Sequence, residues 1–361
     1  MNNKKKIIIA TGGTGGHIFP AYSLAKHFID NHINVEILSD KRGLRYLKYY
    51  KDIKVAKITS ATIFQKNFFK LIISIAVISY SFLKSVIYLI FNRPNLVFGM
   101  GGYSSFPVCI AARILNIPFI VYENNLSIGK TNRYLLPYCN KIFVSNNELK
   151  GIPEKYEKKI CEIGNIIRKE ILNFQANTEI NLKDEKLSIL ILGGSQAAKI
   201  FAEELPEIFK KCKEAKISFK IYQQCLPEQN DLLIKFYKKL NIEFEIFNFT
   251  QEIISYFSKV NLAITRSGSS MLAELVNVKI PFISVPLPTS ADNHQLKNAI
   301  YYEKKEYSYL IEEKNLNREL FLLIKQISDN KSLLNRMIKK QKEYSDKEVY
   351  KKIDEQIIKM I

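Results

Sequence analysis

Short β-branched apolar runs alternate along the chain with longer stretches of helical period. Lys6–Ala10, Val35–Leu38, Leu96–Phe98, Phe119–Tyr122 and Lys141–Val144 read as strands. The pattern restarts with Leu187–Leu192, Ser218–Tyr222, Glu243–Phe247, Leu262–Ile264 and Phe282–Val285. Such alternation of strand-like runs with helices predicts parallel sheets covered on both faces. Two such series predict two doubly wound α/β halves. The polar segment Lys169–Lys186 has no strand pattern and reads as the connection between them. Beyond Tyr307 the chain turns helical and charged, with Tyr344–Ile361 predicted as a last helix.

The most apolar stretch is Phe68–Phe91. Its uncharged run, Leu71–Leu83, is 13 residues long, short of the roughly 18–20 that a spanning helix needs. At about 100° per residue, Asn67, Lys70, Ser74, Ser81, Lys84, Ser85 and Asn92 form one narrow polar stripe. Val77 and Tyr88 interrupt it and Ser79 lies opposite. A helix apolar around most of its girth buries that surface in protein or in lipid, so two readings stand. One is a core helix packed on a sheet; the other is a helix seated at a bilayer interface. No acidic residue occurs between Asp52 and Glu123, whereas Lys54, Lys57, Lys66, Lys70, Lys84, Arg93 and Arg113 fall there. An anionic leaflet favours that imbalance. The candidate membrane face is therefore Lys66, Phe68, Phe69, Lys70 and Lys84, on a helix expected to lie on the membrane and not to cross it.

Composition narrows the class further. The chain has 361 residues, 47% of them hydrophobic and 25% charged, which excludes a disordered or disulfide-stapled protein and suits about two domains. A net charge of +19 asks for an acidic partner: nucleic acid, an anionic membrane or a phosphorylated substrate. Basic patches interleaved with aromatics are absent, which argues against nucleic acid. The five scattered cysteines lack CxxC spacing and read as reduced, mostly buried thiols of a cytoplasmic protein, without structural zinc. The basic start Met1–Lys6 is followed only by the apolar Ile7–Ala10, too short for a signal peptide.

Candidate chemistry lies in four glycine or hydroxyl turns between strand and helix. They are Thr11–His17 (TGGTGGH), Gly99–Ser105 (GMGGYSS), Gly193–Ala198 (GGSQAA) and Arg266–Ser270 (RSGSS). Such turns let backbone approach a ligand and aim helix N–H groups at anions. The nicotinamide fingerprint G-x-G-x-x-G fails at Ile18, and no GxxxxGK[ST] occurs anywhere. Ligands of parallel sheets bind beyond the carboxyl ends of the strands. The four turns together predict a phosphate-bearing ligand held between two facing halves.

These residues resemble the MurG family, the UDP-GlcNAc-dependent transferases that complete the peptidoglycan lipid precursor. The resemblance rests on Thr11–Pro20 (TGGTGGHIFP), Gly99–Tyr103, Glu123-Asn124-Asn125, Gly164-Asn165 with Arg168, Gly193–Gln196, Arg266–Gly268 with Glu274, Asp292–Gln295 and Asn298-Ala299. These occur in the family's order over most of the chain. The fold it implies is α/β of GT-B type, two Rossmann-like domains with a cleft between them. The domains would be 1–165, facing the acceptor and membrane, and 166–340, binding UDP-GlcNAc, with 341–361 returning to the first. Three departures stand out: Ala197 where glycine is usual, Gln223–Leu226 in place of a His-Gln-(Ser/Thr)-Gly segment, and Lys279 where a helix-ending glycine is usual.

On this resemblance the donor site draws on Thr14, Gly15, Gly16, Asn125, Arg168, Ser195, Thr250, Ser269, Ser270, Met271, Glu274, His294 and Gln295. Glu274, about one turn into its helix, can accept both ribose hydroxyls; the alternative is a surface glutamate. Ser269, Ser270 and Met271 open that helix, where dipole and N–H groups suit a diphosphate. Ser195 offers a hydroxyl and backbone N–H to anionic oxygen. Thr250 would present backbone to uracil or merely sit in a turn, and Arg168 would neutralise phosphate or be a solvated linker arginine. Asn125, His294 and Gln295 would contact sugars, since Asn and Gln offer donor and acceptor together. Gly12, Gly13, Gly101, Gly102 and Tyr103 would form the acceptor-side loops.

Inverting transfer to an acceptor 4-hydroxyl needs a base. His17, at a helix start, is the first candidate, its rival role being to shape the loop, and Glu123 is the second. No DxD pair occurs near these motifs, so neither metal nor cofactor is expected, UDP-GlcNAc being a substrate. Helix dipoles and Ser or Arg donors would stabilise the leaving group. The implied partners are UDP-GlcNAc, a lipid-diphosphate-linked MurNAc-peptide, the anionic cytoplasmic face of the inner membrane and other cell-wall synthesis proteins. That places the chain in cell-wall biogenesis, and through it in cell shape and division. Competing functions are another GT-B transferase making a membrane glycolipid, a sugar-nucleotide epimerase, and a non-catalytic basic membrane or nucleic-acid binder.

Overall fold

A computed structural model describes residues 5–61, 67–174, 186–194 and 199–361. The chain divides into two compact units, Met1–Arg168 with Asp346–Ile361, and Lys169–Ser345. The first unit thus runs to Arg168 instead of ending at 165, and the returning segment starts at Asp346 instead of 341.

In the first unit β1 (Lys6–Thr11), β2 (Asn34–Ser39), β3 (Lys54–Lys57), β4 (Leu96–Gly99), β5 (Phe119–Glu123), β6 (Lys141–Val144) and β7 (Ile160–Glu162) form one parallel sheet in the order β3-β2-β1-β4-β5-β6-β7. Helices α1 (Gly15–Asp30), α2 (Lys41–Leu47), α3 (Phe68–Asn92), α4 (Ser105–Ile114) and α5 (Lys130–Leu135) connect the strands. Ile7, Ile8 and Ile9 of β1 are all fully buried, as a central strand covered on both faces requires. The strand order reverses direction between β1 and β4, with Ala10 opposite Gly99. That switch point brings the first two glycine turns side by side.

The second unit repeats the plan. Helix α6 (Lys169–Asn173) precedes β8 (Leu187–Leu192), α7 (Lys199–Glu214), β9 (Phe219–Gln224), α8 (Asn230–Lys239), β10 (Glu243–Phe247), α9 (Ile253–Phe257), β11 (Leu262–Thr265) and α10 (Ser269–Asn277). Then come β12 (Phe282–Ser284), α11 (His294–Lys304), β13 (Ser308–Leu310), α12 (Leu316–Asp329) and α13 (Ser332–Lys342). The parallel order is β10-β9-β8-β11-β12-β13, with its switch point between β8 and β11, where Thr265 pairs with Leu192. Lys279 takes the left-handed conformation, φ 63°, that favours glycine. Its Nζ donates to the carbonyls of Gln341 and Tyr344, both at 2.6 Å, so the side chain has a task that glycine could not perform.

The last helix, α14 (Val349–Ile357), is anchored in the first unit. Asp346 Oδ1 accepts from Asn165 N at 2.8 Å, and Tyr350 Oη donates to Ile167 O at 2.6 Å. His27 Nε2 lies 2.9 Å from Asp354 Oδ1, and its ring stacks on Tyr350.

Helix α3 corrects one of the two expectations made for it. It is not a core helix, because its apolar girth is exposed: Phe68, Phe69, Ile72, Ile73, Ile75, Tyr80, Leu83, Ile87, Ile90 and Phe91 all face out. The buried residues are Ser74, Ser81, Ser85 and Leu89, so the serine part of the polar stripe is the inner face. Ser81 Oγ donates to Thr59 O and Ser85 Oγ to Ser81 O, each at 2.7 Å, satisfying hydroxyls taken out of water. At 25 residues, with an 18-residue window of mean hydropathy 1.9, α3 meets the length and composition of a membrane-crossing helix, while its serine face lies against its own unit. Phe68, Phe69, Lys70 and Lys84 are exposed, although Lys84 Nζ also reaches Lys57 O at 3.3 Å. Lys66 lies outside the described residues.

Candidate active site

At the first switch point the two glycine turns are packed backbone on backbone. Gly102, at φ +79°, lies so close that a Cβ there would meet Gly12 O at 2.6 Å. Gly101, at φ +85°, has the His17 ring over it, and a Cβ would meet Cε1 at 2.7 Å and Nδ1 at 2.8 Å. The glycines of the second turn are therefore the seat of the His17 imidazole. Met100 N donates to Ala10 O at 2.9 Å and Ser104 Oγ to Thr11 O at 2.7 Å, fixing one turn to the other. His17, half-buried, sits in the first turn of α1, where Thr11 Oγ1 donates to its carbonyl at 3.1 Å.

Asp40, at the end of β2, completes the turn from the opposite side. Its Oδ1 accepts from Gly13 N at 3.1 Å and Gly43 N at 2.9 Å, and its Oδ2 from Ser60 Oγ at 2.9 Å. Burial pushes this carboxyl's pKa upward, but those donors and the nearby Arg42 outweigh it and hold it below the ordinary value. Arg42 Nη2 is 3.7 Å from Asp40 and itself exposed. Sequence reasoning missed Asp40 and Ser104, because nothing marks them until the turns are brought together.

The loop after β5 comes to the same place. Glu123 is 2% exposed, and both its oxygens are engaged. Oε1 accepts from Asn125 N at 3.1 Å and Asn125 Nδ2 at 3.0 Å, and Oε2 from Gly129 N at 2.8 Å and Asn132 Nδ2 at 3.0 Å. A carboxylate occupied by four donors of its own loop is built to shape that loop, which displaces it from the role of second candidate base. Asn125 is thereby oriented by Glu123. Asn124 Nδ2 crosses to Gly16 O at 2.9 Å. Gly15 is buried and Thr14, the cap residue of α1, is exposed. Tyr103 is half-buried at the rim of the second turn. Asn165 is spent on Asp346, through its N–H and its amide, while Arg168, half-buried, ends the unit.

In the second unit Gly193-Gly194 and Arg266–Gly268 adjoin at the other switch point, Arg266 N donating to Leu192 O at 3.3 Å. Arg266 does not reach out to an anion. Its guanidinium pairs with Glu313, donates to Val285 O and Pro286 O at 3.3 Å, and lies over the Phe201 ring. Asn298 Nδ2 ties α11 to the same turn through Ser267 O at 3.2 Å. Ser269 is buried at the start of α10, where Gly268 caps without a side chain, and Ser270 and Met271 are half-buried beside it. Glu274 is 5% exposed, so the alternative of a surface glutamate is removed. Gln295 folds back, its Oε1 accepting from Leu287 N at 3.0 Å, and His294 Nδ1 lies 2.8 Å from Ala291 O. Thr250 Oγ1 accepts from Glu252 N at 3.0 Å, the geometry of a turn. Ser195 lies outside the described residues.

The glycosyltransferase family 28 N-terminal domain matches residues 7–144, and the family 28 C-terminal domain matches residues 188–355. A protein of Pelagibacter ubique named UDP-N-acetylglucosamine–N-acetylmuramyl-(pentapeptide) pyrophosphoryl-undecaprenol N-acetylglucosamine transferase is 36% identical over 359 residues, 99% of each chain. A Rickettsia canadensis protein of the same name is 33% identical over 87% of each chain. Among solved structures, MurG of Acinetobacter baumannii superposes with a TM-score of 0.79 at 23% identity over 99% of both chains. Full-length identity of this order, carried on two α/β units with paired glycine turns at their switch points, places the chain in glycosyltransferase family 28, among the MurG-type transferases.

Proposed function

We propose that this chain transfers GlcNAc from UDP-GlcNAc, with inversion, to the 4-hydroxyl of MurNAc-(pentapeptide)-diphosphate-undecaprenol, the step from lipid I to lipid II of peptidoglycan synthesis. One observation carries the reading: a relative named for that reaction aligns over 99% of the chain at 36% identity. The motifs read from the sequence support it: the His17 ring lies on Gly101, and Asn124 bonds the neighbouring Gly16. His17 is the candidate base for the acceptor hydroxyl, since an imidazole nitrogen can take up the hydroxyl proton as the new glycosidic bond forms. Gly12, Gly13, Gly101, Gly102 and Tyr103 would border the acceptor. On the second unit Glu274 would hold the ribose, Ser269, Ser270 and Met271 the diphosphate, and Thr250 the base. Arg168, Ser195, His294 and Gln295 complete the candidate donor set. Leaving-group stabilisation by helix N-termini removes the need for a metal in this reading.

The acceptor's lipid asks for a membrane, and α3 offers the docking face. Its inner face is buried from Ser74 to Leu89, with Ser81 donating to Thr59 O, while the opposite face is apolar and free of acids. A helix held lengthwise on its domain suits an interfacial seat better than a span, which supports a peripheral seat on the anionic inner leaflet. The deciding experiment is transfer of radiolabelled GlcNAc from UDP-GlcNAc to a lipid-diphosphate-MurNAc acceptor, with and without EDTA. Transfer unaffected by EDTA is expected. No transfer would overturn the function, and loss in EDTA restored by magnesium would overturn metal independence. In the same assay His17→Ala is expected to lower kcat by roughly 10²–10⁴-fold with UDP affinity retained; a fall below about tenfold would leave His17 a loop-shaping role.

A further inference from the structure

Helix α1 contains Pro20 within its second turn. Proline has no N–H, so it cannot give the Gly16 carbonyl, four residues earlier, the hydrogen bond that an α-helix normally supplies. The Asn124 amide supplies one instead, Nδ2 to Gly16 O at 2.9 Å. Asn124 is itself 6% exposed and stands next to Glu123, whose four donors hold the β5 loop in shape. Gly16 directly precedes His17, whose ring lies on Gly101.

We propose that Asn124 is a positioning residue for His17: it takes the place of the donor that Pro20 lacks, and so couples the β5 loop to the catalytic turn of α1. The pairing explains why a proline can sit so close to the glycine turn. It opens a hydrogen-bonding position in the helix, and the Asn124 amide uses it. Glu123 then acts at one remove, by fixing the loop that presents Asn124. The inference rests on the reading of His17 as the acceptor-side base.

The test is a double-mutant cycle on the full chain with Asn124→Ala, Pro20→Ala and the double variant. Each is assayed for kcat and KM with a short-lipid soluble acceptor, and for urea unfolding. Asn124→Ala alone is expected to lower kcat about tenfold, the worth of one buried hydrogen bond, with the UDP-GlcNAc KM within about twofold. Pro20→Ala restores a backbone N–H aimed at Gly16 O. In that background Asn124→Ala should lower kcat by only about threefold or less, and its unfolding midpoint should recover in parallel. Asn124→Asp, which replaces the donor by an acceptor, should behave as Asn124→Ala. Equal losses in both backgrounds would overturn the coupling. Coupling in unfolding with kcat unchanged would overturn the positioning role. Failure of the parent chain to transfer GlcNAc would overturn the reading of function, while the unfolding cycle would still decide the contact.

Discussion

The outward apolar face of α3 is the feature most open to a quantitative test. Phe69 is 76% exposed, flanked by Phe68 at 70%, at the start of a helix whose inner face is fixed by serine hydroxyls. A phenylalanine presents roughly 200 Å² when free, so about three quarters of that, on the order of 150 Å², is available to lipid. At about 25 cal/mol per Å², full insertion is worth about 3.5 kcal/mol, and insertion to half depth about 2 kcal/mol. Phe69→Ser should therefore weaken partitioning onto vesicles by roughly thirtyfold at half depth. An exposed side chain contributes little to folding, so the variant should keep the parent's unfolding midpoint. Lys70→Gln and Lys84→Gln should each cost on the order of 1 kcal/mol, in a salt-dependent way. The assay is co-sedimentation with vesicles of mixed neutral and anionic phospholipid at low and high salt, paired with transfer to membrane-embedded and soluble acceptors. Activity on the soluble acceptor should survive. Equal vesicle binding by the parent and Phe69→Ser would refute the docking face, whatever the lysines do.

Three further outcomes follow from the site geometry. Glu123→Gln sets an amide against donors that now meet carboxylate oxygens, and should destabilise the chain by roughly 1.5–3 kcal/mol in urea unfolding while the acid limb of the pH–rate profile stays in place; loss of that limb would return Glu123 to the role of base. Glu274→Ala should weaken UDP-GlcNAc binding by roughly 1–3 kcal/mol in calorimetry, and an unchanged dissociation constant would remove the ribose assignment. Asp40 has its folded pKa held below 3.8, so its charged form adds stability above the unfolded-state pKa, and that share fades as pH falls through the folded value. Asp40→Asn should accordingly be less stable than the parent near pH 7, with the gap closing in strong acid; a gap independent of pH would show that the charge does not contribute.

Much of this was legible in the residues because parallel sheets leave a strong trace. Strands buried on both faces, such as Ile7–Ala10 or the Ile189–Leu192 part of β8, are apolar without interruption, and the glycine turns follow them. The three strands that escaped, β3, β7 and β13, are only three or four residues long. Lys54 and Lys57 frame two apolar residues in β3, and such a segment becomes a strand only when a neighbour's backbone is already in place to pair with it. The serine stripe of α3 was visible as a period of the helix. Period alone cannot tell whether the stripe faces solvent or protein, because that depends on acceptors such as Thr59 O elsewhere in the chain. The family's motifs could be read off in order, but not what each residue spends its hydrogen bonds on. Glu123 looks like a base until Gly129 and Asn132 reach it, and the motif residues Arg266 and Asn165 show their partners, Glu313 and Asp346, only once the chain is folded. Local sequence determines strand, helix and turn, since backbone geometry and burial are local in their demands. Which polar group satisfies which is decided by tertiary structure, because a buried hydrogen bond needs both partners and the chain brings them together only when folded.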